Sequence, residues 1–127
     1  MTQNFTDPPA LYDVSWDQTE RVVRFVWAPG SVCTVQQARA GSATIRALDK
    51  GAAPMLVDMR QMKKLEREAR ELYKTDKGGV GAMALLVGSP VTKMLANFFM
   101  RTDTDTTPTR MFTDESAALN WLHRQPP

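Results

Sequence analysis

His123 and Cys33 are the sole histidine and the sole cysteine of the chain, and neither has an evident catalytic companion. His123 lies in WLHRQPP, close to the C-terminus, with no nucleophile at a spacing that would pair with it. Cys33 adjoins an expected helix start, which can lower a thiol pKa, yet no histidine or second cysteine stands near it in sequence. One histidine and one cysteine also leave no zinc-ligand set of recognisable spacing, and no cofactor motif is present. The glycines of KGGVGAM run into an apolar strand-like segment, whereas a phosphate-cradling loop must run into a helix and end in a Lys-Ser/Thr pair. Two places remain. Ser89, in GSP, precedes a helix start whose free amides can bind an anion. Asp58 ends an apolar run and is followed by Arg60, so the pair can form an ion pair or meet a ligand at the end of a strand. Plain capping and plain ion pairing explain both without function.

The elements that would position these residues follow from periodicity. LYDVSW (11–16) and RVVRFVW (21–27) alternate with period two and are separated by DQTE, which predicts an antiparallel hairpin. After a turn at APGSVC, Thr34 and Gln37 form a capping-box signature. The following helix presents Val35, Ala38, Ser42, Ile45 and Leu48 inward and stops at Gly51. PMLVDM (54–59) and AMALLV (82–87) are short apolar runs that read as strands buried on both faces. Between them, a helix is expected over 63–76, burying Leu65, Ala69, Leu72 and Tyr73, followed by a DKGGVG loop. Its charges alternate at helical spacing, with Lys64 and Glu68, Glu66 and Arg70, and Arg67 and Glu71 each four apart, the pattern of a solvated face. Pro90 suits the first position of the next helix. A short strand, TRMF (109–112), then precedes Thr113, the expected cap of a last helix whose inner face is Ala118, Trp121 and Leu122.

The resulting order is ββαβαβαβα. Strands joined through helices are parallel, with right-handed crossovers. If each strand lies beside the one before it, every helix falls on one face of the sheet. The expected fold is α/β: a right-handed β-α superhelix around a mostly parallel five-stranded sheet, edged by the N-terminal antiparallel hairpin. Such a sheet needs no reversal of strand order, and so no deep ligand crevice. Residues 10–124 are expected to form a single domain, between a flexible N-terminus (1–9) and a flexible C-terminus (125–127).

Composition agrees with one globular domain. The chain is 43% hydrophobic and 24% charged, and sixteen Lys and Arg against fourteen Asp and Glu give a net charge of +2. The cations are dispersed among acids, so no nucleic-acid groove is expected. There is no integral membrane segment, and MTQNFTDPPA lacks the pattern of a secretory signal. With an unpaired cysteine, this points to the cytoplasm.

LVDMRQMKKLEREAR, ALLVGSPVTKMLANFFMR and PTRMFTDESAALNWL, in that order and spacing, resemble the small bacterial proteins of SpoIIAA-like, or STAS/SEC14-like, fold. The resemblance covers residues 10–123 and carries no catalytic motif. STAS relatives imply a partner-binding module switched by phosphorylation of a serine in an Asp-Ser-Ser-Gly-like segment after the central strand. Here that stretch reads Met59-Arg60-Gln61-Met62-Lys63-Lys64 and contains no hydroxyl, a departure from the phosphoswitch pattern. SEC14-like relatives imply an apolar ligand between the sheet and a mobile helix.

The helix from Val91 holds more hydrophobic residues than one inward stripe of Val91, Met94, Leu95 and Phe98 requires. Phe99 borders that stripe and Met100 lies outside it. Either a neighbouring loop, TDTDTTP, covers them, or they form a partner surface, most simply a homodimer contact, with Asn97 and Arg101 at its polar rim. The function expected is a non-enzymatic binding or regulatory module acting through protein contact. The alternative is a carrier of a small apolar or lipid-like molecule.

Overall fold

The two apolar runs form the centre of the sheet. In the computed structural model, which describes residues 11–100 and 107–126, they become β4 (Pro54–Asp58) and β6 (Ala82–Leu86), paired in parallel with Met55 opposite Met83 and Val57 opposite Leu85. The hairpin strands β1 (Tyr12–Asp17) and β2 (Val22–Trp27) extend the sheet on one side and β7 (Thr109–Phe112) on the other, in the order β1-β2-β4-β6-β7. Only β1 and β2 are antiparallel. Strand order follows chain order with no reversal, as the connection rules predict.

Among the described residues four helices accompany the strands: α1 (Val35–Ala47), α2 (Arg67–Tyr73), α3 (Pro90–Met100) and α4 (Glu115–His123). The crossover helices α1, α2 and α3 share one layer. Ala38 and Ile45, Ala69 and Tyr73, and Leu95, Ala96 and Phe99 pack with Phe25, Trp27, Met55, Val57, Met83 and Leu85 from the sheet. Gly41 lets α1 approach closely, since a Cβ there would stand 2.9 Å from the Phe25 ring. The expectation that every helix lies on this face fails for α4. Its Ala118 and Leu122 pack against Val22, Leu56, Ala82, Ala84 and Leu86 on the opposite face. Among the described residues no parallel strand follows α4, so no crossover rule binds it, and it covers the apolar surface that three helices on the other side cannot reach.

Two short strands were missed by periodicity. β3 (Ser31–Cys33) and β5 (Met62–Leu65) form a separate parallel ladder, flanked by bonds from Gly30 N to Gln61 O (2.8 Å) and Glu66 N to Cys33 O (3.0 Å). The helix expected over 63–76 therefore shrinks to 67–73. Met62 and Leu65 are buried and the lysines between them exposed, a spacing of three that imitates a helix turn.

Capping is partly as expected. Thr34 accepts from the Gln37 amide (3.2 Å), and the Gln37 side chain accepts from Leu11 N (3.3 Å). Asp114, not Thr113, caps α4 by accepting from Ala117 N (2.9 Å).

The inward stripe of α3 is also corrected. Its buried residues are Thr92, Leu95, Ala96 and Phe99, whereas Val91 and Met94 are 49% and 53% exposed. The helix is turned by about one residue position, roughly 100°, from the orientation that counting hydrophobic side chains gives. Thr92 makes this possible: its Oγ1 accepts from Gly88 N (3.1 Å) and Ser89 N (3.0 Å), so its polar group is satisfied in burial. Urea denaturation is expected to show the difference directly. Phe99→Ala should cost about 3–5 kcal/mol and Met94→Ser less than about 0.5 kcal/mol; the reverse order would restore the orientation with Met94 inward.

Candidate functional site

Asp58, Arg60 and the Gly-Ser-Pro turn meet at the C-terminal ends of β4 and β6. Arg60 folds back on Asp58, with Nε 3.0 Å from Oδ1, an Nη 2.7 Å from Oδ2, and its own amide 3.1 Å from Oδ1. A Cβ at Gly88 would stand 3.4 Å from Arg60 Cγ, so the Arg60 stem lies close against the turn. Burial raises the Asp58 carboxyl pKa, but the bonds from Arg60 and the charges of Arg60 and Arg24 outweigh it and hold the group below its ordinary value. Asp58 is thus an ionised acceptor already occupied by its neighbour, poorly placed to act as a general base.

Ser89 is equally occupied. Its Oγ accepts from Thr92 N (3.1 Å) and lies 3.0 Å from Thr92 Oγ1, while Lys93 N bonds to Ser89 O (2.9 Å). Together with the two bonds accepted by Thr92, the Gly88, Ser89 and Thr92 amides are consumed by the cap. An anion would have to displace these contacts.

Neither single-copy residue gains a catalytic companion. His123 Nε2 lies 2.9 Å from Glu20 O and 3.4 Å from the Glu20 carboxylate, which ties the end of α4 to the β1–β2 turn. Cys33 is fully buried, with Sγ 3.6 Å from Tyr73 Oη. Desolvation pushes its pKa from 9.0 up to about 11, only partly opposed by the Tyr73 bond.

The partner residues expected on α3 separate. Phe99 is 3% exposed and packs against Tyr73, with ring centroids 4.7 Å apart, so it belongs to the core and offers no free surface. Met100 is half-buried against the same core. Asn97 is exposed, and Arg101 lies outside the described residues, as does most of the loop expected to cover this region. The apolar face left on α3 is Val91, Met94 and the half-buried Phe98, which fall within about 60° of one another around the helix.

Phe98 also lines a groove of about 250 Å³ with Arg67, Arg70, Glu71 and Lys74 of α2. The Arg70 guanidinium sits over the Phe98 ring, 4.4 Å from its centroid. Its Nε is shut off from solvent without a hydrogen-bond partner. The alternating charges of this segment predicted a self-neutralised helix, yet the ion pair on α2 is Lys74 with Glu71 (3.0 Å). No carboxylate pairs with Arg67 or Arg70 among the described residues. Starting the helix at 67 puts Lys64 in β5 and Glu66 at the cap, which dissolves two of the three expected pairs. The groove has no signature in the sequence, because Phe98 stands 28 residues from Arg70 and its spacing reads as an inward, core position.

A second space lies inside, between the sheet and α1–α3. It measures about 20 Å³ and is walled by Phe25, Trp27, Ile45, Tyr73, Met83 and Phe99, among others, with Ser42 and Lys77 also reaching its lining.

Residues 16–125 match the domain of unknown function DUF7793, and the chain belongs to that family. A solved structure from Shewanella loihica PV-4, an uncharacterised DUF3478-family protein with a SpoIIAA-like fold, superposes with a TM-score of 0.58 at 18% identity, covering 87% of this chain and 91% of that one. The fold is SpoIIAA-like. No curated protein matches. Among the described residues, no helix is long and apolar enough to cross a membrane.

The Cys33 environment makes a prediction of its own. A pKa near 11 instead of 9.0 leaves about a hundred-fold less thiolate near neutral pH. Iodoacetamide should label the native protein far more slowly than the urea-unfolded chain. Because the folded pKa is the higher one, Cys33's contribution to stability is intact below pH 9.0 and is lost as pH rises toward 11. Equal labelling of both states would mean that the thiol is open.

Proposed function

We propose that the protein is a non-enzymatic binding or regulatory module that acts by protein contact along the outer flank of α3. The observation that carries this is the exposure of Val91 and Met94 beside Phe98. A Met or Val side chain buried on contact contributes roughly 1.5–3 kcal/mol, and the fold leaves two adjacent ones largely unused. Methionine also adapts its shape to a facing surface. The fold offers a reaction little: Asp58, Ser89, Cys33 and His123 are each engaged with neighbours, and they are not gathered into one cleft. An unpaired cysteine suits a reducing compartment such as the cytoplasm.

A photo-crosslinking side chain placed at position 94, and separately at exposed Ala43 on α1, tests this in cells. The expected outcome is a discrete adduct from position 94 that is absent from position 43. Adducts of equal yield from both positions, or from neither, would remove α3 as the contact surface.

A second reading, a carrier of a small apolar molecule, is favoured by the internal space with its aromatic and methionine walls. At about 20 Å³ it has room for about one water, so α2 or α3 would have to move to admit a lipid-like ligand. Native mass spectrometry of the purified protein is expected to show the bare chain mass. A retained ligand of a few hundred daltons would put the carrier reading first.

A further inference from the structure

We propose that the groove between α2 and α3 takes an acidic segment of a partner protein, with Phe98 meeting an apolar side chain and Arg67 and Arg70 meeting its carboxylates. This rests on the contact function assigned to α3 and names the chemistry of the partner. Three cations, Arg67, Arg70 and Lys74, border the groove, and Glu71 answers only one of them. Arg70 is the most telling. Its guanidinium carbon stands 4.4 Å from the Phe98 ring centroid, and its Nε is desolvated and unbonded. A carboxylate arriving at the Nη groups of a guanidinium already resting on a ring forms strong charge-assisted bonds with less side-chain entropy to lose.

Charge also selects against the other occupants. In a two-fold dimer centred here the groove would meet its own copy, an excess of cations facing the same excess. A nucleic acid needs a longer positive stripe and stacking rings than one Phe and three cations supply. At about 250 Å³ the space falls below the usual range for a small-molecule pocket and suits side chains of a peptide laid across it. The Val91–Met94 flank of the same helix then offers the segment's apolar residues a place to continue.

The test uses the full chain and fluorescein-labelled peptides of repeating Glu-Glu-Leu-Phe, with Gln-Gln-Leu-Phe as the uncharged control, read by anisotropy at low and moderate salt. The Glu peptide is expected to bind roughly ten-fold or more tightly than the Gln peptide, an advantage that shrinks with salt and disappears in Arg67→Glu. Arg67 is exposed, so that variant should fold; Arg70→Gln, checked by its urea midpoint, should lose the same advantage. Equal binding of both peptides, abolished by Met94→Ser, would overturn the acidic assignment while leaving the α3 contact in place. Discrimination that survives Met94→Ser but not Arg67→Glu would keep the groove and remove the α3 flank. Failure of both peptides to bind, or binding to phosphatidylserine vesicles in their place, would overturn the proposal, and the crosslinks at position 94 would then judge the contact function alone.

Discussion

Strands β4 and β6 have no polar face, and the rest of the architecture answers that constraint. Met55, Val57, Met83 and Leu85 point to one side, Leu56, Ala82, Ala84 and Leu86 to the other, and all are buried. A parallel pair of this kind must be covered twice. On the first side the cover comes without choice, because the crossovers that make strands parallel deliver α1, α2 and α3 there. On the second side, among the described residues, the cover comes from α4. Small residues on that side, Ala82, Ala84 and Ala118, let one short helix lie close enough to suffice. An ion network holds it in place: Arg24 bridges Asp17 at 2.7 Å and Glu115, in the first turn of α4, at 3.3 Å.

Much of this is legible in the sequence for simple reasons. Period-two alternation over Tyr12–Trp16 and Val23–Trp27, and the two unbroken apolar runs, are each long enough to exceed what chance patterning supplies, and strand order then follows from short connections. What failed did so where spacing imitates another element or where hydropathy misreports burial. Met62 and Leu65 lie three apart with lysines between, so a four-residue strand looks like the first turn of a helix. Thr92 is buried because its hydroxyl closes the cap with Gly88 and Ser89, a local hydrogen-bond solution that a hydropathy count reads as solvent exposure. That one residue turns α3 and exchanges Phe99 for Met94 at the surface.

The same distinction governs the candidate site. Asp58 and Ser89 stand out in sequence because strand ends and helix starts are where ligands approach, and the structure does bring their turns together. Each is nevertheless saturated by its own neighbours, Arg60 and Thr92, two or three residues along the chain. Such local pairing satisfies the polar groups of tight turns without help from a ligand. The network through Arg24 is the opposite case, since its partners stand 7 and 91 residues away and have no local signature.

A sheet whose strand order never reverses has no crevice at the strand ends, so the contact proposed for this protein falls to helix surfaces. Here α2 and α3 carry side chains that the fold itself does not need. Val91 and Met94 cover no part of the core, and Arg67 and Arg70 neutralise no carboxylate among the described residues. Removing Val91, Met94 or Arg67, all exposed, from the isolated domain would cost little. Groups that are neutral or unfavourable in the free molecule become favourable only against a complementary surface. Arg70 joins the two kinds, because its ring contact with Phe98 ties the cationic edge of α2 to the apolar flank of α3. A segment docked as proposed would therefore meet charge and hydrophobicity side by side.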